Sequence, residues 1–346
     1  MEPRSKQAVP AGLLHDALEC ALSHHFGSAR TIRQLRRRSS AYSSSYALEN
    51  LEVVLDTRQR LRLVFKDLSP SSVLKTAQRI RPGFLYSPER EIEIYERVLD
   101  PRKLGTPICF GATRVPELNR YWLFLERVDG PLLWQRGRLN SWEQAAGWLA
   151  MLHTEYRTCS RRWKQSWSNH LVHYNEQLLE TWMTRAEEFI QREQTNGSRE
   201  TMRRFSHLAN RYDQVIDRLL ALPMSLIHGE FFPSNVILRR RNNDWAICPV
   251  DWEMAAIGPG LIDLAALTSG KWTHEQKRAM VAAYRRGLET ADSAPPSVSD
   301  LLEAVDYCQL HLSVQLLGWA ANWAPPQRHT QNWLGEAVRL SNALGL

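Results

Sequence analysis

One short stretch, residues 228–253, reads HGEFFPSNVILRRRNNDWAICPVDWE and carries most of the side chains able to do chemistry. Glu230 precedes Asn235 by five positions, and Asp251 and Glu253 close the stretch. An acid, an amide and a second acid that meet at one point suit divalent-metal binding and the handling of a hydroxyl proton. Magnesium prefers oxygen ligands, usually one or two carboxylates plus substrate phosphates. The residues between supply a way to bring them together. VIL is a short apolar run, RRRNND a polar turn, and WAICPV a second apolar run, the pattern of paired strands. Glu230, Asn235 and Asp251 then fall on loops at the ends of one hairpin, aimed by rigid strands.

The ordered set of HGE, Asn235, the strand pair, DWE and the downstream GPGLIDLA resembles the catalytic loop and metal motif of the aminoglycoside phosphotransferase and choline kinase-like families. Their pattern is HGD-x-x-x-x-N, then a hydrophobic strand ending in D-[WF]-[DE]. The resemblance implies a protein-kinase-like fold and the phosphoryl-transfer roles that go with it. Glu230 takes the place of the catalytic Asp, one methylene longer. Asn235 and Asp251 become the magnesium ligands, with Glu253 close by. His228 and Asp263 become braces of the loop.

The upstream chain reads as the elements that would present a nucleotide. Residues 11–25 have a helical apolar pattern. Strands are expected at 31–38, 47–55 and 61–65, with a Ser-rich turn, Ser39 to Ser45, between the first two. Small side chains there allow close approach to phosphate, and Ser43 and Ser44 are the expected nucleotide contacts. Lys66 follows LVF as the kinase lysine follows its third strand. Residues 70–86 look mobile. SPEREIEIYERVLD has a helix start, with acids in its first turn. By the resemblance Glu91 pairs with Lys66 and turns its ammonium to the phosphates, with Glu93 as the competitor. LFLERV resembles the strand and hinge that bind adenine through backbone, over Glu126 to Val128, and Gly130 would let the chain turn.

From Trp142 the pattern is helical, with Ser141 as the expected N-cap. His153 reads as a packed or capping residue. Glu180, Glu187 and Glu188 are more simply a solvated helix face than contacts to a cationic acceptor. The Trp319 and Trp323 stripe reads as core, with the wall of an acceptor pocket as the alternative. The expected fold is therefore α+β: a small N-terminal antiparallel β lobe with one main helix, and a larger, mostly helical C-terminal lobe. The division expected is 1–128 for nucleotide binding and 129–346 for catalysis and acceptor binding.

The chain has 346 residues, enough for two cores. A net charge of +7 invites a nucleic-acid reading. The charge is spread out, however, and no nucleic-acid module accompanies it, so no nucleic-acid partner is expected. Five cysteines at wide spacing, without CxxC, argue against a disulfide framework or zinc site and for a reducing, cytoplasmic setting. No secretory signal is expected, and no run nears the roughly 18 apolar residues of a membrane span. The expected activity is transfer of the γ-phosphate of ATP, or alternatively GTP, to a hydroxyl of a metabolite or antibiotic, with Mg2+ and a monomer or homodimer. The alternative is a nucleotide-binding pseudokinase or regulatory module.

Overall fold

The computed structural model describes residues 9–43, 45–99, 101–157, 168–193, 199–242, 244–288, 294–320 and 332–346. The chain divides into two compact units, one of residues 1–78 and 86–129, the other of residues 79–85 and 130–346. The short excursion at 79–85 precedes the division expected at 128/129 and packs with the later residues.

The first unit is built on an antiparallel five-stranded sheet of order β1-β2-β3-β5-β4. Its strands are β1 Ile32–Ser43, β2 Ala47–Leu55, β3 Arg60–Asp67, β4 Cys109–Val115 and β5 Arg120–Glu126. Helix α1, Ala11–Phe26, covers one face. Period-two side chains explain the packing. Leu51, Val53 and Leu55 of β2 and Leu63 and Phe65 of β3 point to the same buried cluster as Leu14, Leu18 and Leu22, one stripe of α1. Each fully buried leucine adds about 1.5–3 kcal/mol.

Two expectations need correction here. The Ser-rich stretch is mostly strand: Ser39 pairs with Glu49 and Ser43 with Ala47, across a register irregularity. Serine opposes extension only weakly, so β1 runs on through the stretch to Ser43. Ser44 lies outside the described residues. Residues 70–86 are likewise structured, with a 3-10 turn at Pro70–Ser72, α2 at Lys75–Ile80 and another 3-10 turn at Gly83–Leu85. Asp67 organises the entry, accepting from the Ser69 backbone at 3.1 Å and from the Ser69 and Ser72 hydroxyls. Helix α3, Pro88–Arg97, follows as expected, then α4, Pro101–Leu104.

The second unit is mainly helical: α5 Leu133–Arg136, α6 Leu139–Glu155, α7 Glu176–Glu193, α8 Arg199–Ala209, α9 Tyr212–Leu220, α10 Leu261–Leu267, α11 His274–Leu288, α12 Val298–Ala320 and α13 Trp333–Ala343. Helix α6 begins two residues before Ser141, which is buried and does not cap it. Helix α6 packs on α11, and α12 on α7, α10 and α13. Three short strands, β6 Val172–His173, β7 Met224–Ile227 and β10 Ala256–Pro259, form a sheet of order β6-β10-β7. The expected hairpin is β8, Val236–Arg241, paired with β9, Asp244–Pro249. Trp319 stacks on the fully buried Trp182 at 5.5 Å, while Trp323 lies outside the described residues. Among the described residues no helix is long and apolar enough to cross a membrane.

Helix α12 buries His311, whose Nδ1 is 2.7 Å from the Tyr212 hydroxyl. Burial pushes this imidazole down from 6.5 to about 3. Between those values the unfolded chain binds a proton that the folded chain refuses. Stability is thus fully present above pH 6.5 and falls as pH drops toward 3. His311→Gln can keep a bond to Tyr212 but cannot titrate. Its unfolding free energy, measured by denaturant titration at several acidic pH values, should vary less steeply than wild type by about 1.4 kcal/mol per pH unit.

Candidate active site

The loop after β7 is held from behind by one carboxylate. Asp263, at 0% exposure, accepts the His228 amide at 2.7 Å on Oδ2 and the Gly229 amide at 2.9 Å on Oδ1. His153 Nε2 lies 3.3 Å from Oδ2, and His153 Nδ1 lies 3.0 Å from the Tyr284 hydroxyl. Facing a carboxylate, Nε2 carries the hydrogen, so Nδ1 accepts from Tyr284. Gly229 has φ +82°, and a Cβ there would sit 2.2 Å from the Met254 carbonyl oxygen. Only glycine fits so close an approach.

His228 ties this loop to the far end of the hairpin. Its Nε2 is 3.0 Å from the Val250 carbonyl and donates to it. That fixes Nδ1 as acceptor for the Glu230 amide, at 3.3 Å. The His228 ring also lies 4.6 Å from that of Trp252. The Glu230 carbonyl takes the Phe232 amide at 2.6 Å and Asn235 Nδ2 at 3.0 Å. The backbone of Glu230 is therefore gripped on both sides. Asn235 gives one of its two amide hydrogens to that bond, and its Oδ1 has no partner among the described residues. The Val250 amide donates to the Asn235 carbonyl at 2.9 Å, so Asp251 leaves the hairpin beside Asn235.

Asp251 is left-handed, with φ 70° and ψ 63°. Such backbone costs on the order of 1–3 kcal/mol and clusters at functional sites. It starts the 3-10 turn Trp252–Met254, anchored by the fully buried Trp252. Glu253 is buried and pairs with Arg81 at 2.8 Å. Tyr174 lies near the loop. Burial raises its phenol strongly, and the charges of Asp263 and Glu230 raise it further, so it stays neutral.

In the first unit Lys66 Nζ is 2.6 Å from Glu91 Oε2, with the two side chains 5% and 2% exposed. Glu93 is held by Arg97 at 2.9 Å and by Arg114 at 3.5 Å, which decides between the two acids. The Tyr46 ring, which nothing in the sequence singled out, lies 5.7 Å from Lys66 Nζ. At the expected hinge, the Glu126 amide is spent on the Ile108 carbonyl at 2.8 Å and the Arg127 amide on Arg62 at 3.0 Å. Val128 makes no hydrogen bond among the described residues. Gly130 follows, where a Cβ would meet the Leu238 carbonyl oxygen at 2.1 Å.

Glu180 lines a pocket of about 290 Å³ with Glu176, Asp213 and Asp217, to which no residue of the 228–253 stretch contributes. Glu187 and Glu188 do not line it.

Residues 34–301 match the family model of the phosphotransferase enzyme family. The chain belongs to that family. Solved structures agree on the fold of this phosphotransferase. A choline kinase from Cryptosporidium parvum Iowa II is 13% identical, with a TM-score of 0.56 over 90% of this chain and 88% of that one. A GDP and kanamycin complex of the aminoglycoside phosphotransferase APH(2")-IIIa is 14% identical, with a TM-score of 0.53 over 94% and 97%. The choline kinase LicA from Streptococcus pneumoniae is 14% identical, with a TM-score of 0.51 over 96% and 99%. At these identities the likeness is one of fold, the protein-kinase-like α+β fold. A search of curated protein sequences finds no match.

Asp263→Asn keeps the shape but cannot accept from all three donors. It should lower stability by about 1–3 kcal/mol. A denaturation midpoint unchanged from wild type would show that the carboxylate does not hold the loop.

Proposed function

We propose that this phosphotransferase moves the γ-phosphate of ATP or GTP to a hydroxyl group of a small molecule, with Glu230, Asn235 and Asp251 at the point of transfer. The observation that carries the reading is the doubly gripped backbone of Glu230 beside an Asn235 whose Oδ1 is left without a partner. Kinase chemistry asks for little bond-making by the protein itself. Positioning and charge neutralisation supply most of the rate.

Each residue then has a role. The Glu230 carboxylate accepts the hydrogen of the acceptor hydroxyl as the hydroxyl oxygen bonds to the γ-phosphorus and the bond to the bridging β-phosphate oxygen breaks, releasing ADP or GDP. Asn235 Oδ1 and the Asp251 carboxylate are oxygen donors of the kind magnesium selects. Magnesium usually takes one or two carboxylates together with substrate phosphates and water. Bound there, magnesium would offset charge on the phosphates. Lys66, aimed by Glu91, takes the phosphates through its ammonium, and the Val128 backbone takes the base edge. Asp263, His228 and Gly229 hold the loop and touch no substrate. The GDP and kanamycin in the relative of known structure support a nucleotide donor and a hydroxyl acceptor.

The test is purified protein with Mg·ATP or Mg·GTP and a panel of amino alcohols, sugars and antibiotics, followed by mass spectrometry of the products. Acceptor-dependent formation of a phosphorylated product is expected, and its absence across the panel despite nucleotide binding would favour a regulatory, nucleotide-binding role. Glu230→Gln should lower kcat by about 10²–10⁴-fold with little change in nucleotide affinity. Lys66→Met should instead weaken nucleotide binding, read by calorimetry. If Glu230→Gln keeps full kcat, Glu230 is not the base.

A further inference from the structure

Residues 79–85 sit in the second unit, although the chain on either side of them belongs to the first. Among the described residues an ion pair and a ring contact hold them there. Arg81 Nη2 lies 2.8 Å from Glu253 Oε1, with both side chains 8% exposed. The Phe84 ring meets Trp182 edge-on at 6.0 Å. Leu85 is buried, at 1% exposure.

The ion pair is placed where stability alone does not account for it. Buried ion pairs add little net stability, because desolvation of both charges offsets their attraction. This one sits two residues after Asp251, on the turn that Asp251 opens through its left-handed backbone. A second carboxylate so near would compete for a cation, or would swing toward water and drag the turn with it. The guanidinium answers both. A charge-assisted bond at this distance fixes the carboxylate geometry, and the positive charge cancels that of Glu253.

We infer that Arg81 is a positioning residue for the metal-binding turn: through Glu253 it sets the turn so that Asp251 is the carboxylate offered to the cation. The inference rests on the reading of Asp251 as a magnesium ligand. It gives residues 79–85 a part in the chemistry of the second unit, with Arg81 acting through Glu253.

The experiment reads metal binding directly. Manganese, as a paramagnetic probe of the magnesium site, is titrated into nucleotide-free protein and followed by electron paramagnetic resonance. The proteins are wild type, Arg81→Met, Arg81→Lys, Glu253→Gln, the Arg81→Met/Glu253→Gln double variant, and, as a control, Arg218→Met at the exposed Arg218–Glu303 ion pair, 2.7 Å long. Arg81→Met should weaken manganese binding by about tenfold or more, as loss of an outer-shell partner does. Arg81→Lys should recover part of that loss. The double variant should bind more tightly than Arg81→Met, because no uncompensated carboxylate remains. Arg218→Met should match wild type. A folded Arg81→Met that binds manganese within about twofold of wild type overturns the inference. So does a double variant whose loss equals the product of the two single losses. If Arg81→Met does not fold, Arg81→Lys and Glu253→Gln decide the matter: each should weaken manganese binding, and wild-type affinity in both overturns the inference. Wild type that binds no manganese removes the inference together with the magnesium role. Wild type that binds manganese and nucleotide but phosphorylates no acceptor defeats the proposed transfer reaction while the Arg81 titrations still stand.

Discussion

A buried carboxylate must find donors or be expelled, and Asp263 finds three. It takes two consecutive amides, those of His228 and Gly229, and faces His153. Few side chains could do this. The carboxylate has two oxygens with several lone pairs, and it sits where no water competes. The His228–Gly229 peptide is thereby fixed in place, and everything downstream inherits that placement. His228 can then reach the Val250 carbonyl and the Glu230 amide at once. Gly229 can then pass against the Met254 carbonyl. The 228–235 loop and the turn at 251–254 are one braced object, and the brace is charge burial.

The first unit repeats the principle with a cation. Lys66 and Glu91 are almost wholly buried as a close pair. Such a pair is a poor way to stabilise a sheet, since an apolar pair of similar volume would do as well or better. It holds the Lys66 ammonium in a fixed direction. The Tyr46 ring on one side of Lys66 limits where that ammonium can turn. Both units thus spend burial on direction, in line with a reaction whose rate comes mainly from positioning.

Much of this was legible in the sequence because it is local. Alternating apolar residues gave the strands, and the HGE-to-DWE spacing gave a hairpin with acids at its ends. What was not legible depends on facing or on distant partners. Glu91 and Glu93 stand two positions apart on one helix, and both are buried. Only the packing shows that Lys66 takes one while Arg97 and Arg114 take the other. The Ser-rich stretch misled because serine is neutral enough to follow a neighbouring strand. Residues 70–86 contain helical turns too short to leave a period. Arg81 is one arginine among several in a basic segment, and its partner lies far along the chain.

The most direct measurement follows a radiolabelled γ-phosphate from nucleotide to small molecule in a metabolite extract, comparing wild type with Asp251→Ala at saturating magnesium. If Asp251 and Asn235 hold the cation and Glu230 serves the acceptor, wild type yields a labelled small-molecule phosphate, and both chelation of magnesium and Asp251→Ala abolish it. A labelled product formed equally well by Asp251→Ala, or label released by wild type only as inorganic phosphate whatever the extract, would contradict the assignment.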